Sequence, residues 1–180
     1  MSTPTIRRAG FEDVSAILTL IRAAAAEQAP DAIVEATEAS LAATLHLFNS
    51  PSSEPESAPT PRFAYPLLII SPDGDTAGLA IYLYNFSTWM ARPGICLEEL
   101  YVLPEYRRMG YARLLVQAIA GEAHKAGCSK MEWFCLRGND KALRFYESLG
   151  AKRMEDWVVL KVGREGIQEL FAIGISPVRW

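Results

Sequence analysis

Residues 98–112 read Glu-Glu-Leu-Tyr-Val-Leu-Pro-Glu-Tyr-Arg-Arg-Met-Gly-Tyr-Ala, and they are the most informative stretch of the chain. An apolar run ends at Pro104, and a basic turn containing Gly110 then leads into an amphipathic segment. This order predicts a strand, a loop and a helix N-terminus, where unpaired backbone N–H groups and the helix dipole attract negative charge. Gly110 has no side chain, so a ligand can approach the backbone closely. Three arginines add positive charge around this turn, and the combination is typical of a diphosphate-binding site: Arg107, Arg108 and Arg113.

The composition indicates one globular domain without nucleic-acid or membrane partners. Half of the 180 residues are hydrophobic and the net charge is −3, whereas a general nucleic-acid binder is normally basic. No run is long and apolar enough to span a bilayer, and the first residues lack the apolar core of a signal peptide. We therefore expect a cytoplasmic protein, with the nucleus as the alternative location. Its three cysteines are odd in number and have no metal-like spacing, so reduced thiols are expected. They are Cys96, Cys128 and Cys135.

Hydrophobic periodicity and turn signals predict an α+β fold with a mixed central sheet. The predicted strands are residues 5–8, 63–71, 77–86, 95–103, 130–136 and 154–162. The predicted helices are residues 14–27, 35–48, 110–126 and 140–149, with a further helical turn within 163–171. Residues 49–62 are rich in proline and small polar residues, which predicts a mobile surface loop inside a single domain spanning residues 1–180.

Two motifs carry a resemblance to a known family. Arg107, Gly110 and Ala112 form an Arg-x-x-Gly-x-Ala pattern, and residues 139–146 read Asn-x-x-Ala-x-x-Phe-Tyr. Together they resemble the acetyl-CoA signature of the GCN5-related N-acetyltransferases (GNAT superfamily), and the chain is most similar to the spermidine/spermine and thialysine N-acetyltransferases. The resemblance implies a twisted sheet that is splayed at its middle, with helices on both faces and acetyl-CoA in the cleft. Further matching residues are Ile6, Arg7, Trp89, Leu97 to Val102, Tyr106, Gly150 and Ala151.

The resemblance also implies which residues contact the cofactor. The backbone of residues 100–102 would pair with the pantetheine arm, and the basic turn with the first helical turn would wrap the diphosphate. Each position has a plainer alternative: core packing for Leu100 and Val102, solvated surface charge for the arginines, and a helix N-cap for Asn139. The implied set is Leu100, Tyr101, Val102, Arg107, Arg108, Met109, Gly110, Tyr111, Ala112, Arg113, Asn139, Ala142 and Tyr146.

Three residues are candidates for catalysis. Tyr146 matches the family tyrosine beside the cofactor sulfur, and a phenol with an ordinary pKa near 10 can donate a proton to a thiolate. Its alternative role is aromatic core packing on a helix. Glu98 and Glu99 point to opposite faces of a strand, so one of them is expected in the cleft, where it would hold a cationic amine and relay its proton through water. A solvated strand end is the alternative for this pair.

The acceptor site is predicted from aromatic and acidic residues around the same strand. Trp89 offers a face to an alkylammonium group, although a loop aromatic covering the core explains it equally well. Polyamine enzymes carry acids after the first helix, where this chain has Glu27 and Gln28. Gln28 at such a position argues against a long polycation. The remaining candidates are on the strand opposite, where packing as a core strand is the alternative role: Glu132, Trp133 and Phe134.

The sequence therefore predicts an acetyl-CoA-dependent amine N-acetyltransferase. A primary amine of a small polyamine-like or diamine substrate would attack directly in a ternary complex, without a metal. A thialysine-like or amino-acid-like amine, an antibiotic or a protein lysine is the alternative acceptor, and a non-catalytic CoA-binding sensor is a second alternative. The resemblance further implies a homodimer. The apolar residues 167–175 with Trp180 are candidates for packing on the second subunit, with packing inside the same chain as the alternative.

Overall fold

The computed structural model describes residues 3–49 and 62–173. The chain forms two compact units, residues 1–139 and residues 140–180. The first unit contains a five-stranded sheet in the order β1-β2-β3-β4-β5. Its first four strands are antiparallel neighbours, whereas β5 runs parallel to β4. The strands are β1 Thr5–Arg8, β2 Tyr65–Ile70, β3 Thr76–Ser87, β4 Arg92–Val102 and β5 Met131–Trp133.

Three helices of the first unit cover the sheet. Helix α1 spans Val14–Gln28, α2 spans Glu38–Thr44 and α3 spans Tyr111–Lys125. A core cluster joins α1 and α2 to alternate residues of the sheet, Leu68, Leu79, Ile81 and Tyr101. Side chains alternate along a strand, so the strand residues between these point to the other face. Helix α3 packs on β3 and β4 and contributes nothing to the α1–α2 cluster, so it covers that other face. The predicted mixed α+β sheet with helices on both faces is confirmed.

A β-bulge interrupts β4 at Glu98. Ile81 of β3 pairs with Glu99, but the next residue, Tyr82, pairs with Leu97, so Glu98 is an extra residue. A bulge bends its strand and increases the local twist. The parallel pairing of β4 with β5 covers residues 95–97 and ends where the bulge begins. The strand predicted at 130–136 is therefore shorter than expected, and the two strands separate as the splayed sheet requires.

The second predicted helix, residues 35–48, is also too long. Its N-cap is Thr37, whose side chain accepts the Ser40 N–H at 3.1 Å. After Thr44 the chain turns to extend the sheet, since the His46 N–H donates to the Ala64 carbonyl at 2.8 Å. Tertiary pairing thus overrides the helical periodicity of this segment. The predicted loop at 49–62 lies outside the described residues except at its two ends.

The second unit contains helices α4 Asp140–Glu147 and α5 Arg164–Ala172, so the helical turn predicted near 163–171 is confirmed and longer. The strand predicted at 154–162 is wrong, because these residues form no regular structure. A strand needs a neighbour for its backbone hydrogen bonds, and the described part of this unit supplies none. The single domain expected over residues 1–180 stays a prediction.

Candidate active site

The backbone of β4 is open on one side after the bulge. On its other side, the Leu103 N–H donates to the carbonyl oxygen of Ala77 in β3 at 3.0 Å. Backbone direction alternates along a strand, so the Leu100 N–H points away from β3. It donates to its own neighbour's side chain, Oε1 of Glu99, at 3.1 Å. No strand in the described ranges pairs with this side of residues 98–102, which we call the open edge.

The two glutamates at the start of the open edge lie in different environments. Glu98 is exposed at the bulge, whereas Glu99 is half-buried on the sheet face that α1 covers. Burial raises the pKa of the Glu99 carboxyl, the hydrogen bond from the Leu100 N–H lowers it, and the Glu98 charge raises it. The net direction is upward, so Glu99 is a stronger base than an ordinary glutamate.

The open edge leads through a 3₁₀ turn, Pro104–Tyr106, into the basic turn of residues 107–110. Arg108 and Gly110 have left-handed backbones, with φ of 63° and 82°. A Cβ on Gly110 would meet no atom within 4 Å, so the space beside this backbone can receive a ligand. Helix α3 begins at the next residue, and the N–H groups of a first helical turn attract anions. Arg108, Met109 and Arg113 are exposed, Ala112 is half-buried, and Tyr111 is buried.

The guanidinium of Arg107 is held by three neighbours of the first unit. Its Nη2 donates to Oε1 and Oε2 of Glu27 at 2.6 and 2.8 Å, and its Nε donates to the Val102 carbonyl oxygen at 2.8 Å. It also lies over the Tyr101 ring, 5.4 Å from the centroid. The Tyr101 hydroxyl donates to the same Glu27 oxygen at 2.6 Å. Burial and this carboxylate raise the pKa of Tyr101 to about 12.

This arrangement places two predicted site residues against each other. Arg107 was predicted as a cofactor ligand and Glu27 as an acceptor ligand, yet they form an ion pair. Sequence reasoning considered only the backbone of Tyr101, and it missed the phenol that completes the network. A residue pattern that is local in sequence gives no signal for a contact between the end of α1 and the end of β4.

A second group of polar residues lies on the same sheet face as Glu99, near β5. Glu132 is the register partner of Cys96, and its Oε1 accepts a hydrogen bond from Asn85 Nδ2 at 2.6 Å. Lys130 Nζ lies 2.9 Å from both carboxylate oxygens of Glu132. Burial raises the pKa of the Cys96 thiol, the charges of Glu98 and Glu132 raise it further, and the charge of Lys130 lowers it. Asn85 was not predicted from the sequence.

The predicted aromatic residues differ in their position relative to Glu99. Trp89 is 87% exposed in the turn between β3 and β4, and strand geometry places it roughly 20 Å from Glu99 along β4. Phe134 is 69% exposed. Trp133 is half-buried at the end of β5, and Gln28 is exposed at the end of α1. Within the first unit, the structure does not bring Trp89 beside the glutamates.

Tyr146 lies in the second unit, on α4. It is half-buried, and its ring lies 5.2 Å from that of Phe145. Ala142 is half-buried on the same helix. Asn139 directly precedes α4, and its N–H donates to the Leu136 carbonyl at 2.9 Å. The roles expected of these three residues stay predictions.

Histidine and cysteine are common metal ligands, and the described ranges show where those of this chain lie. No group of three His, Cys, Asp or Glu side chains there can hold a metal ion. His46 instead stacks on Tyr65, with ring centroids 4.1 Å apart. No helix of the described residues has the length and apolar character needed to cross a membrane. The three cysteines are free thiols, and Cys96 is the buried one.

Comparisons with known proteins identify the family. The model of the acetyltransferase (GNAT) family matches residues 19–151, most of the chain, and the chain therefore belongs to this family. The integron cassette protein VCH_CASS6 from V. cholerae has the same fold, with a TM-score of 0.70 and 19% identity over 95% of this chain and 99% of that chain. The mixed sheet with its splayed β4 and β5 is thus the GNAT fold.

Curated relatives of this chain include two amine N-acetyltransferases. L-ornithine N5-acetyltransferase of Arabidopsis thaliana is 29% identical over 99 residues, which is 55% of this chain and 43% of the relative. Thialysine N-epsilon-acetyltransferase of Bos taurus is 34% identical over 96 residues, 52% of this chain and 56% of the relative. The chain thus spans about half the length of these relatives.

Proposed function

We propose that the protein is an amine N-acetyltransferase that uses acetyl-CoA as donor. The observation that carries this proposal is the continuity of three features: an open strand edge, a basic glycine turn and a helix N-terminus. An extended, partly amide-containing donor with a diphosphate end suits this series. The edge offers backbone groups for the arm, and the turn offers N–H groups and cationic charge for the phosphates.

The donor residues of the first unit are proposed as follows. The backbone of residues 100–102 pairs with the pantetheine arm, and the N–H of Val102 is one of the pairing groups. Residues 108–113 bind the diphosphate, with Arg108 and Arg113 as the exposed cations of this segment. When bound, acetyl-CoA supplies the activated acetyl group as a thioester.

Proton removal from the amine is assigned to the glutamates at the bulge. The acceptor amine must be neutral when it attacks, and a carboxylate with a raised pKa is suited to take its proton directly or through water. We propose Glu99 as this base and the exposed Glu98 as a charge that attracts the ammonium form. Tyr146 is proposed as the acid that protonates the departing thiolate, following the family resemblance.

The proposed acceptor is a small cationic amine, such as a diamine or a basic amino acid. Two consecutive carboxylates at the bulge, Glu98 and Glu99, favour a positively charged substrate. Glu132 on the neighbouring strand is already paired with Lys130. The names of the two relatives, ornithine and thialysine acetyltransferases, support a basic amino acid as strongly as a polyamine. The homodimer and the cytoplasmic location stay predictions.

A panel of acceptors tests the proposed function. The purified chain is incubated with acetyl-CoA and with diamines, polyamines, ornithine, lysine, an aminoglycoside or a lysine-containing peptide, and free thiol release is followed. We expect turnover with small cationic amines and a loss of about 100-fold or more in kcat for Tyr146→Phe. Acetylation of the peptide alone would favour protein lysine as the acceptor. Calorimetric binding of CoA without turnover on any amine would instead indicate a sensor.

A further inference from the structure

We propose that Arg107 is a positioning residue that orders the open edge and the basic turn, and that it does not bind the donor's diphosphate. This inference rests on the proposed function. It departs from the role that the sequence pattern suggests for Arg107, and it gives Glu27 and Tyr101 a role in holding the donor side of the site.

Hydrogen bonds inside the protein already fix the guanidinium of Arg107. Both oxygens of Glu27 accept from Nη2, and Nε donates to the Val102 carbonyl oxygen. A planar guanidinium donates in fixed directions, so these contacts set its orientation as well as its position. The Tyr101 ring below it closes one of its two faces at 5.4 Å. A phosphate at Nε or Nη2 would have to displace partners already at hydrogen-bonding distance.

The charge of the Arg107 guanidinium is already paired with a carboxylate of the protein. The Glu27 carboxylate lies 2.6 Å from Arg107, and this pairing raises the pKa of the guanidinium. The positive charge of Arg107 is therefore balanced inside the protein, and a diphosphate would meet a carboxylate beside it. Arg108, the next residue, is exposed and forms no ion pair with a described residue. It can offer its charge to a phosphate without that competition.

The contacts of Arg107 connect residues from three different elements of the first unit. Glu27 belongs to the last turn of α1, Tyr101 and Val102 end β4, and Arg107 begins the basic turn. The four residues thus tie three elements together at one point. The Val102 carbonyl at the open edge is occupied by Nε, which leaves its N–H as the group for the donor arm. Loss of Arg107 would free both the edge and the turn.

Truncation of the donor distinguishes positioning from phosphate binding. S-acetylpantetheine carries the reactive thioester but lacks the diphosphate and the nucleotide. We expect Arg107→Ala to lower kcat/KM by about 10- to 100-fold with acetyl-CoA and by the same factor with S-acetylpantetheine. Arg108→Ala is the matched control, and its loss should be confined to acetyl-CoA. A loss for Arg107→Ala that disappears with S-acetylpantetheine would overturn the proposal.

Two further variants separate positioning from a simple charge effect. Arg107→Lys keeps the charge but cannot reach Glu27 and the Val102 carbonyl together, so it should not restore activity. Rescue by lysine would contradict the proposal. Glu27→Ala should reproduce the Arg107→Ala loss with both donors, and the double variant should be no worse than either single variant. Additive losses would show that the two side chains act independently.

The free protein gives a readout that does not depend on turnover. Thermal unfolding of the two single variants and the double variant forms a double-mutant cycle. We expect coupled, non-additive decreases in Tm, since each substitution removes the same contact. If the wild-type chain acetylates no amine, the proposed function fails, while this cycle still decides whether Arg107 and Glu27 are coupled.

Discussion

A single extra residue, Glu98, determines where β4 leaves β5. The bulge offsets the register with β3 by one position, which puts Glu99 on the same face as Ile81. In a regular strand the side chain at each position alternates, so an insertion of one residue reverses the faces that follow it. The bulge therefore places one carboxylate in a half-buried environment and leaves its neighbour in solvent.

The raised pKa of Glu99 has a consequence for stability. Its folded-state pKa lies above the ordinary value of about 4.5, so the folded state binds this proton more tightly than the unfolded state does. The bound proton of Glu99 therefore contributes to the free energy of unfolding. This contribution is fully present below the ordinary pKa and is lost as the pH rises through the pKa of the folded state. Glutamine imitates the protonated form and can still accept the Leu100 N–H.

We expect Glu99→Gln to raise the free energy of unfolding at pH 7 by about 1 kcal/mol, or about 2–4 °C in Tm. The difference from wild type should shrink as pH falls below about 4.5. Thermal melts by circular dichroism across this pH range measure it. The exposed Glu98→Gln serves as the control and should change Tm less. A Glu99→Gln variant that is less stable than wild type at pH 7 would contradict the raised pKa.

At the scale of elements, β3 and β4 approach closely at the end that carries the open edge. Gly78 pairs with Val102, and a Cβ at Gly78 would lie 2.6 Å from the Tyr101 carbonyl oxygen. The same Cβ would lie 3.1 Å from a Val102 methyl carbon. Backbone cannot move aside as a flexible side chain can, so this position requires glycine and keeps the two strands in register.

We expect Gly78→Ala to destabilise the protein by about 1–3 kcal/mol, because the strands must separate to admit the methyl group. The KM for acetyl-CoA should rise as well, since the displaced residues form the open edge. Denaturant unfolding and steady-state kinetics measure the two effects. Gly121 in α3 gives a matched control, because its Cβ would meet nothing within 4 Å. Gly121→Ala should be neutral or stabilising by about 0.5–1 kcal/mol.

At the scale of the whole molecule, the parts predictable from the sequence are those set by local patterns. Hydrophobic periodicity, capping residues and turn residues gave the order of the elements in the first unit, and the glycine turn identified the family. The length of α2 and the failed strand at 154–162 depend on partners elsewhere in the chain. The ion pair of Glu27 with Arg107 spans 80 residues, so no local pattern could predict it.

The two-sided backbone of β4 has a consequence for amide hydrogen exchange. The N–H of Tyr101 faces β3 and should exchange only when the sheet opens, whereas the N–H of Val102 lies at the open edge and should exchange much faster. Adjacent residues of one strand would then differ in protection in the free protein. CoA should slow the exchange of Val102 and leave that of Tyr101 unchanged, which heteronuclear NMR can follow. Equal protection of both amides without CoA would mean that the edge is closed.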